Sequence, residues 1–155
     1  MSKKKELKRI REKINELDAE LLKLINQRSS LAIEAGEAKE DEVIYKPERE
    51  AAILRNLKEN NPGPLNEEQI SNIFKEIISS CRAQEDELDV AFLGPEGTYS
   101  DSAVKKNFGS SVNKSATETI KDVFKAVTDG KSDYGIVPVE NSTEGPINQT
   151  LDCLA

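Results

Sequence analysis

The chain has 155 residues, of which 36% are hydrophobic and 33% charged, and its net charge at pH 7 is −7. This length allows one or two small domains, and the negative charge argues against a general nucleic-acid-binding or anionic-membrane-binding protein. Because the chain contains no histidine, Ser-His-Asp triads and histidine-ligated metals are excluded, and any catalysis must use arginine, lysine, carboxylates, hydroxyls or backbone groups.

The cysteines and the hydropathy pattern predict a cytoplasmic protein. Cys81 and Cys153 form no CxxC motif, and no signal peptide precedes them, which indicates a reducing compartment. No apolar run approaches the roughly 20 residues of a membrane span. We therefore expect no membrane partner, no metal and no cofactor.

The first forty residues predict one long helix, from about residue 4 to about residue 40, with a single apolar face. Spacings of three and four residues define a seam on this helix, which consists of Ile10, Ile14, Leu17, Leu21, Leu24, Arg28, Leu31, Ala35 and Ala38. A periodic helix longer than about 25 residues is typical of an intertwined assembly. The sequence therefore predicts a homodimer.

Arg28 is the one charged member of the seam. Removing a guanidinium from water costs several kcal/mol unless another group compensates it, so Arg28 needs an internal carboxylate or an external anion. Lys39 lies eleven residues later on the same helical face. Arg11 lies about 100° around the helix from Arg28, so it cannot join the same site on a straight helix but could join it from a second copy.

Two further helices are predicted before residue 86. The second begins at Pro47 and runs to about residue 60, and Arg49 and Glu50 lie beside its apolar side. The third follows Asn66, a good N-cap residue. Its apolar face extends to Cys81, and continuing the stripe by four residues leads to Glu85.

These charges leave two interpretations open. In the first, Arg28 pairs with Glu50 or Glu85 as a salt bridge inside a structural bundle, and spacing alone favours this reading. In the second, the cations surround an apolar pocket for a small polycarboxylate, with the two glutamates contributing hydrogen bonds.

The composition changes near residue 88, where strands begin to alternate with helices. Strands are predicted at residues 90–93, 112–116 and 134–139. Between them we predict a helix capped by Ser100, a helix capped by Thr117, and a polar turn before a final helix. This alternation indicates an open α/β sheet. We expect domains at residues 1–87 and 88–155, the second of them truncated because three strands form about half of an ordinary α/β domain.

Several polar residues follow the predicted strands, where open α/β sheets bind ligands. They are Thr98, Ser100, Asn141 and Ser142. Their ordinary interpretation as turn and cap residues is favoured by the sequence pattern alone.

Longer motifs resemble known families. The segments IREKINELDAELLKLINQRSSLA, EAGEAK and YKPEREAAIL resemble the all-helical chorismate mutase family, over residues 6 to about 87. The segments VAFLGPEGTYS and YGIVPVENSTEGPINQTLD resemble the start of prephenate dehydratase. This order is that of the bifunctional chorismate mutase/prephenate dehydratase family, so the resemblance implies an all-α three-helix mutase domain, intertwined as a dimer, followed by a partial α/β lobe.

The resemblance also implies roles for individual residues. It makes Arg28, Lys39 and Glu85 catalytic, and it assigns substrate binding to Arg11, Arg49, Glu50, Cys81 and Lys46, with Arg11 reaching into the neighbouring chain's site. Lys46 stands where the family often has aspartate, Cys81 where some members have serine, and Glu85 where relatives have glutamine or glutamate.

The implied reaction converts chorismate to prephenate in phenylalanine biosynthesis. It is a unimolecular rearrangement without proton transfer, in which Lys39 and Glu85 would meet the ether oxygen. The Thr-Arg-Phe motif of prephenate dehydratases is absent from this sequence, so we expect little or no dehydratase activity, with Thr98, Ser100, Asn141 and Ser142 as candidate prephenate contacts. The alternative is a non-catalytic helical dimerisation module joined to a small-molecule-binding lobe.

Overall fold

The computed structural model describes residues 3–38, 45–141 and 145–155. The first part of the chain is formed by three helices, α1 (Lys3–Glu37), α2 (Pro47–Glu59) and α3 (Glu67–Arg82). Both α1 and α2 pack against α3. The predicted three-helix architecture is confirmed, and no helix among these residues is long and apolar enough to cross a membrane.

Local sequence signals account for the ends of α2 and α3. Pro47 occupies the first turn of α2, where its missing N–H leaves no hydrogen bond unmade. Asn66 and Gln69 form a capping box at the start of α3, in which each side chain accepts a hydrogen bond of 2.9 Å from the other residue's backbone N–H. The helix ends at Arg82. Glu85 therefore lies in a turn after α3, with its N–H donating to the Arg82 carbonyl, and not on the helix itself.

The apolar seam of α1 faces solvent in the single chain. None of the described residues of α1 is buried. Ile14, Leu17, Leu21 and Leu31 are 49%, 59%, 54% and 63% exposed, respectively. An exposed apolar face of this length, interrupted by Arg28, is typical of an interaction surface.

The second part of the chain is a small α/β lobe. Its elements are β1 (Asp89–Leu93), α4 (Tyr99–Phe108), β2 (Asn113–Thr117), α5 (Ile120–Thr128), β3 (Tyr134–Ile136), β4 (Glu140–Asn141), β5 (Gly145–Pro146) and α6 (Asn148–Leu154). The first three strands form a parallel sheet in the order β2-β1-β3, and α4 and α5 pack on β1. The predicted open sheet is confirmed.

The hydrophobic core lies between this sheet and α4. Val90 and Phe92 of β1 are fully buried there together with Val104 of α4. Tyr45, which precedes α2, packs against the same cluster. The lobe and the helical part therefore share a hydrophobic contact.

Three local predictions in the lobe were wrong. Thr98, not Ser100, caps α4, because the Thr98 hydroxyl accepts from the Asp101 N–H. Thr119, not Thr117, caps α5, since Thr117 is the last residue of β2 and its hydroxyl donates to the Phe92 carbonyl. The third strand ends at residue 136, and part of the predicted turn pairs as the antiparallel β4 and β5.

Candidate active site

The three helices line an open cavity of about 370 Å³. This volume lies within the usual range for small-molecule sites, about 300–1,000 Å³. Apolar side chains of all three helices line it together with cations and two carboxylates, and the complete set is Arg28, Leu31, Ala32, Ala35, Lys46, Arg49, Glu50, Ile53, Ile78, Cys81, Arg82 and Glu85. The cavity thus brings together six predicted site residues: Arg28, Lys46, Arg49, Glu50, Cys81 and Glu85.

Two predicted cations are not part of this set. Arg11 is exposed on α1, far along the helix from the cavity. Lys39 lies outside the described residues. The predicted cations that do line the cavity are Arg28 of α1, Arg49 of α2 and Lys46 of the segment before α2, beside Arg82 of α3.

Arg28 is half-buried at the cavity wall. Within the part of the chain that the structure describes, no carboxylate lies within 4 Å of its guanidinium. Glu50, one of its two proposed partners, instead forms an ion pair with Arg82. The geometry does not support the salt-bridge interpretation, and Arg28 keeps its hydrogen-bond donors available for an anion.

Arg82 is a charged residue of the cavity wall that the sequence analysis missed. Its Nη1 donates to the Glu50 carboxylate, and its side chain is only 6% exposed, compared with 20% for Glu50. The signal that could have found it is its position four residues after Ile78, on the buried face of α3.

Burial raises the pKa of the Glu50 carboxyl above its ordinary value near 4.5, although the positive charges of Arg82, Arg28 and Lys75 oppose this shift. Between the ordinary and the raised value only the folded chain holds the proton, so the free energy of unfolding should fall as pH rises through this window. We predict that the Glu50→Gln variant lacks this fall. Urea denaturation from about pH 4 to pH 7 measures it.

The matched control for this prediction is Glu48→Gln, which changes an exposed carboxylate in the same turn of α2. This control should keep the wild-type pH dependence. A Glu50→Gln variant with the wild-type slope would contradict the assignment.

Glu85 reaches the cavity because Gly36 of α1 leaves room for it. A Cβ atom built on Gly36 would lie 2.8 Å from Glu85 Oε2 and 3.2 Å from both its Cγ and Cδ. Carbon atoms in ordinary contact are about 3.5–4.0 Å apart, so any larger residue at position 36 would displace the Glu85 side chain. Gly36 thus leaves the space next to α1 that the Glu85 side chain occupies.

The arrangement suits a small dianion with an apolar body. Arginine side chains can grip carboxylates with two parallel hydrogen bonds, and Leu31, Ala35 and Ile53 supply apolar walls. Nothing in this set requires a metal or a redox group.

The polar residues predicted in the second lobe are placed mainly by local structure. Thr98 caps α4 and also donates to the Pro95 carbonyl over 2.9 Å. Ser100 is half-buried in the first turn of α4, and Asn141 is exposed on β4. Ser142 lies outside the described residues.

Comparison with known families agrees with the two-part architecture. A family model described as chorismate mutase type II matches residues 10–86. A second model, described as prephenate dehydratase, matches residues 90–155. The predicted resemblance to both families is confirmed.

Curated relatives carry both descriptions in one protein, each being a bifunctional chorismate mutase/prephenate dehydratase. The chain is 46% identical to the protein of Stutzerimonas stutzeri over 98% of its length and 44% of that relative. It is 45% identical to the Neisseria gonorrhoeae protein over 94% of this chain and 40% of the relative. The Aquifex aeolicus protein is 42% identical to the chain, over 95% of the length of this chain and 42% of the length of the relative.

The chain therefore spans less than half of the length of these relatives. The segment that matches chorismate mutase precedes the segment that matches prephenate dehydratase, which is the order of the two activities in the name of these relatives. Together the two segments cover nearly all residues of the chain. Residues 10–86 therefore match the chorismate mutase type II family and residues 90–155 match the prephenate dehydratase family, in a chain that is similar over nearly its whole length to bifunctional chorismate mutase/prephenate dehydratases.

Proposed function

We propose that the helical part of this chain is a chorismate mutase, which converts chorismate to prephenate. The observation that carries the proposal is the half-buried guanidinium of Arg28, which lines the cavity while its predicted partner Glu50 pairs with Arg82. A cation at a partly buried cavity wall that forms no ion pair among the described residues calls for an external anion. Chorismate is a dianion of suitable size.

The reaction suits the residues present. Chorismate rearranges in one step, without a covalent intermediate and without proton transfer, so the protein must select the compact conformer and stabilise charge on the breaking ether oxygen. Arg28 and Arg49 would bind the carboxylates. Lys39 and Glu85 would approach the ether oxygen, and Glu85 can donate a hydrogen bond there only when it carries a proton.

Glu50 has a different role from Glu85. The single hydroxyl group of chorismate is its only hydrogen-bond donor, and a carboxylate held by Arg82 is a suitable acceptor for it. Lys46 and Cys81 line the same cavity and would complete the wall as substrate contacts, with the buried Cys81 facing the apolar part of the ligand.

The active form is proposed to be a homodimer. The exposed seam of α1 would be buried against a second α1, as in other long-helix assemblies. Arg11 is too far along α1 to reach the cavity of its own chain, and a partner would bring it there.

The domain boundary near residues 87 and 88 also stays a prediction.

The second lobe is proposed to contribute contacts to prephenate. Thr98, Ser100, Asn141 and Ser142 remain its candidate contacts. We place the protein in the cytoplasm, in phenylalanine biosynthesis, in keeping with its two free thiols.

Loss of chorismate absorbance on addition of the full chain tests the mutase proposal directly. Activity that follows protein concentration and disappears in the Arg28→Ala variant supports it. A folded, dimeric chain without activity favours the alternative of a non-catalytic dimerisation module joined to a small-molecule-binding lobe.

Replacing Gly36 with alanine should separate activity from stability. Gly36 is the next-to-last residue of α1, where alanine should be at least as favourable as glycine, so the melting temperature should stay level or rise. The new methyl group would push Glu85 out of position, and we expect kcat/KM to fall about tenfold or more.

The control is the same change in a Glu85→Ala background, where it should have no further effect on kcat/KM. A Gly36→Ala variant that is as active as the wild type would show that Glu85 does not act at the ether oxygen.

A further inference from the structure

Helix α3 separates the cavity from the second lobe and contacts both. Ile78, Cys81 and Arg82 face the cavity. Other α3 side chains bond to residues 106–111 of the lobe, and we call this set of contacts the junction. The junction is part of the folded chain, not a flexible tether.

The junction combines several polar contacts. The Glu76 carboxylate accepts hydrogen bonds from the Ser110 N–H over 3.2 Å and from the Ser110 hydroxyl over 3.1 Å. The Ser79 hydroxyl accepts from the Ser111 N–H over 3.2 Å. Lys75 donates to the Lys106 carbonyl over 3.1 Å.

The two backbones also approach closely at Gly109. Its φ of +80° favours glycine, and a Cβ there would lie 2.4 Å from Ser79 Cβ. Any side chain at position 109 would force α3 and the lobe apart.

Arg82 connects the junction to the cavity. One terminal nitrogen donates to Glu50 in the cavity, and the other donates to the Phe108 carbonyl of the lobe over 2.7 Å. The guanidinium carbon lies 4.9 Å from the centre of the Tyr45 ring, within the range of a cation–π contact. Arg82 is only 5% exposed.

The Phe108 carbonyl is also well suited to hold a cation. Phe108 is the last residue of α4, and the C-terminal carbonyls of a helix carry a partial negative charge. The lobe thus contributes to fixing the Arg82 guanidinium at its place between α3 and Glu50.

We propose that Arg82 is a positioning residue of the mutase site, and that the second lobe sets the substrate affinity of this site by holding Arg82 against Glu50. The proposal rests on the proposed mutase function. Without Arg82, the Glu50 carboxylate would lose both its orientation and its compensating charge, and it would face a dianionic substrate. Binding would weaken more than the rearrangement of bound substrate.

Steady-state kinetics of the full chain with Arg82→Met test this proposal. We expect KM to rise about tenfold or more, because an uncompensated carboxylate repels the dianion, while kcat changes by less than about threefold. The Arg82→Lys variant keeps the charge but not the paired hydrogen bonds, so its KM should lie between that of the wild type and that of Arg82→Met. The matched control is Arg55→Met, the same change at an exposed position of α2, and it should retain the wild-type KM.

A double-mutant cycle with Glu50→Gln separates positioning from general destabilisation. If Arg82 acts through Glu50, its replacement should raise KM by less than about threefold in the Glu50→Gln background. The proposal would be overturned if replacing Arg82 raised KM equally in the wild-type and Glu50→Gln backgrounds, or if Arg82→Met left KM unchanged. Should Arg82→Met fail to fold, the Arg82→Lys cycle decides by the same criteria.

The contribution of the lobe is tested from its own side. Gly109→Ala should raise KM as Arg82→Met does, and Glu76→Ala, a milder change that removes both Ser110 contacts, should raise it less. An unchanged KM in both variants would overturn the role of the lobe.

Thermal unfolding of the four proteins of the cycle, without substrate, distinguishes failure of this proposal from failure of the mutase function. A wild-type chain without mutase activity contradicts the proposed function alone. Melting temperatures then test the link between Arg82 and Glu50. If the changes in melting temperature of the two single variants do not add up to that of the double variant, the link is supported, and if they do add up, it is overturned.

Discussion

The Arg28→Ala variant should lose at least about a hundredfold in kcat/KM for chorismate, since removing one partner of a hydrogen-bonded charge pair at a buried site typically costs about 2–5 kcal/mol. Arg28 is half-buried at the cavity wall and pairs with no carboxylate among the described residues. Loss of the Arg28 side chain should therefore lower kcat/KM far more than it changes the stability of the fold. We expect the free energy of unfolding to change by less than about 1 kcal/mol.

Chemical denaturation beside the absorbance assay makes this comparison. Arg55→Ala, at an exposed position of α2, serves as the control and should keep the wild-type kcat/KM. If Arg28 were a structural salt bridge instead, its removal would lower the free energy of unfolding by about 3–5 kcal/mol and leave the activity of the folded fraction intact.

Mixing two inactive variants should restore activity. If Arg11 of one chain completes the site built around Arg28 of the other, a dimer of one Arg11→Ala chain and one Arg28→Ala chain contains one intact site and one doubly damaged site. Random pairing makes half of the dimers mixed, so about a quarter of the wild-type activity should return.

The experiment requires subunit exchange, for which the two variants are unfolded together and refolded. Each variant refolded alone is the control for activity, and sedimentation of the wild-type chain establishes its oligomeric state. A dimeric mixture that is no more active than its parents would show that both arginines serve the same chain, or that Arg11 does not serve the site at all.

Much of the fold could be predicted from local sequence signals. The spacing of apolar residues in α1, Pro47 at the start of α2 and the cap at Asn66 each act within one or two helical turns, so they are visible in the sequence. Arg28 could be selected because one charge interrupts an otherwise apolar seam. Its carboxylate partner could not be excluded, because spacing within a helix does not determine which side chains of other helices meet it.

The remaining features depend on contacts between distant segments. Arg82 looks like an ordinary basic residue in the last turn of α3, and only the packing of α2 and the lobe around it reveals its two partners. Gly36 reads as a weak point of α1 until Glu85 is seen against it. At α5 two neighbouring threonines could both cap the helix, and the extension of β2 to Thr117 leaves this role to Thr119.

The aromatic contact beside Arg82 gives the protein an optical signature. The chain has no tryptophan and three tyrosines. Tyr45 and Tyr134 lie with ring centres 5.1 Å apart at the boundary between the helical part and the lobe, whereas Tyr99 is 96% exposed. Near-ultraviolet circular dichroism arises from aromatic rings held in fixed, asymmetric surroundings. The tyrosine part of this signal therefore originates largely where the helical part and the lobe meet. It reports the docking of these two parts independently of helix content.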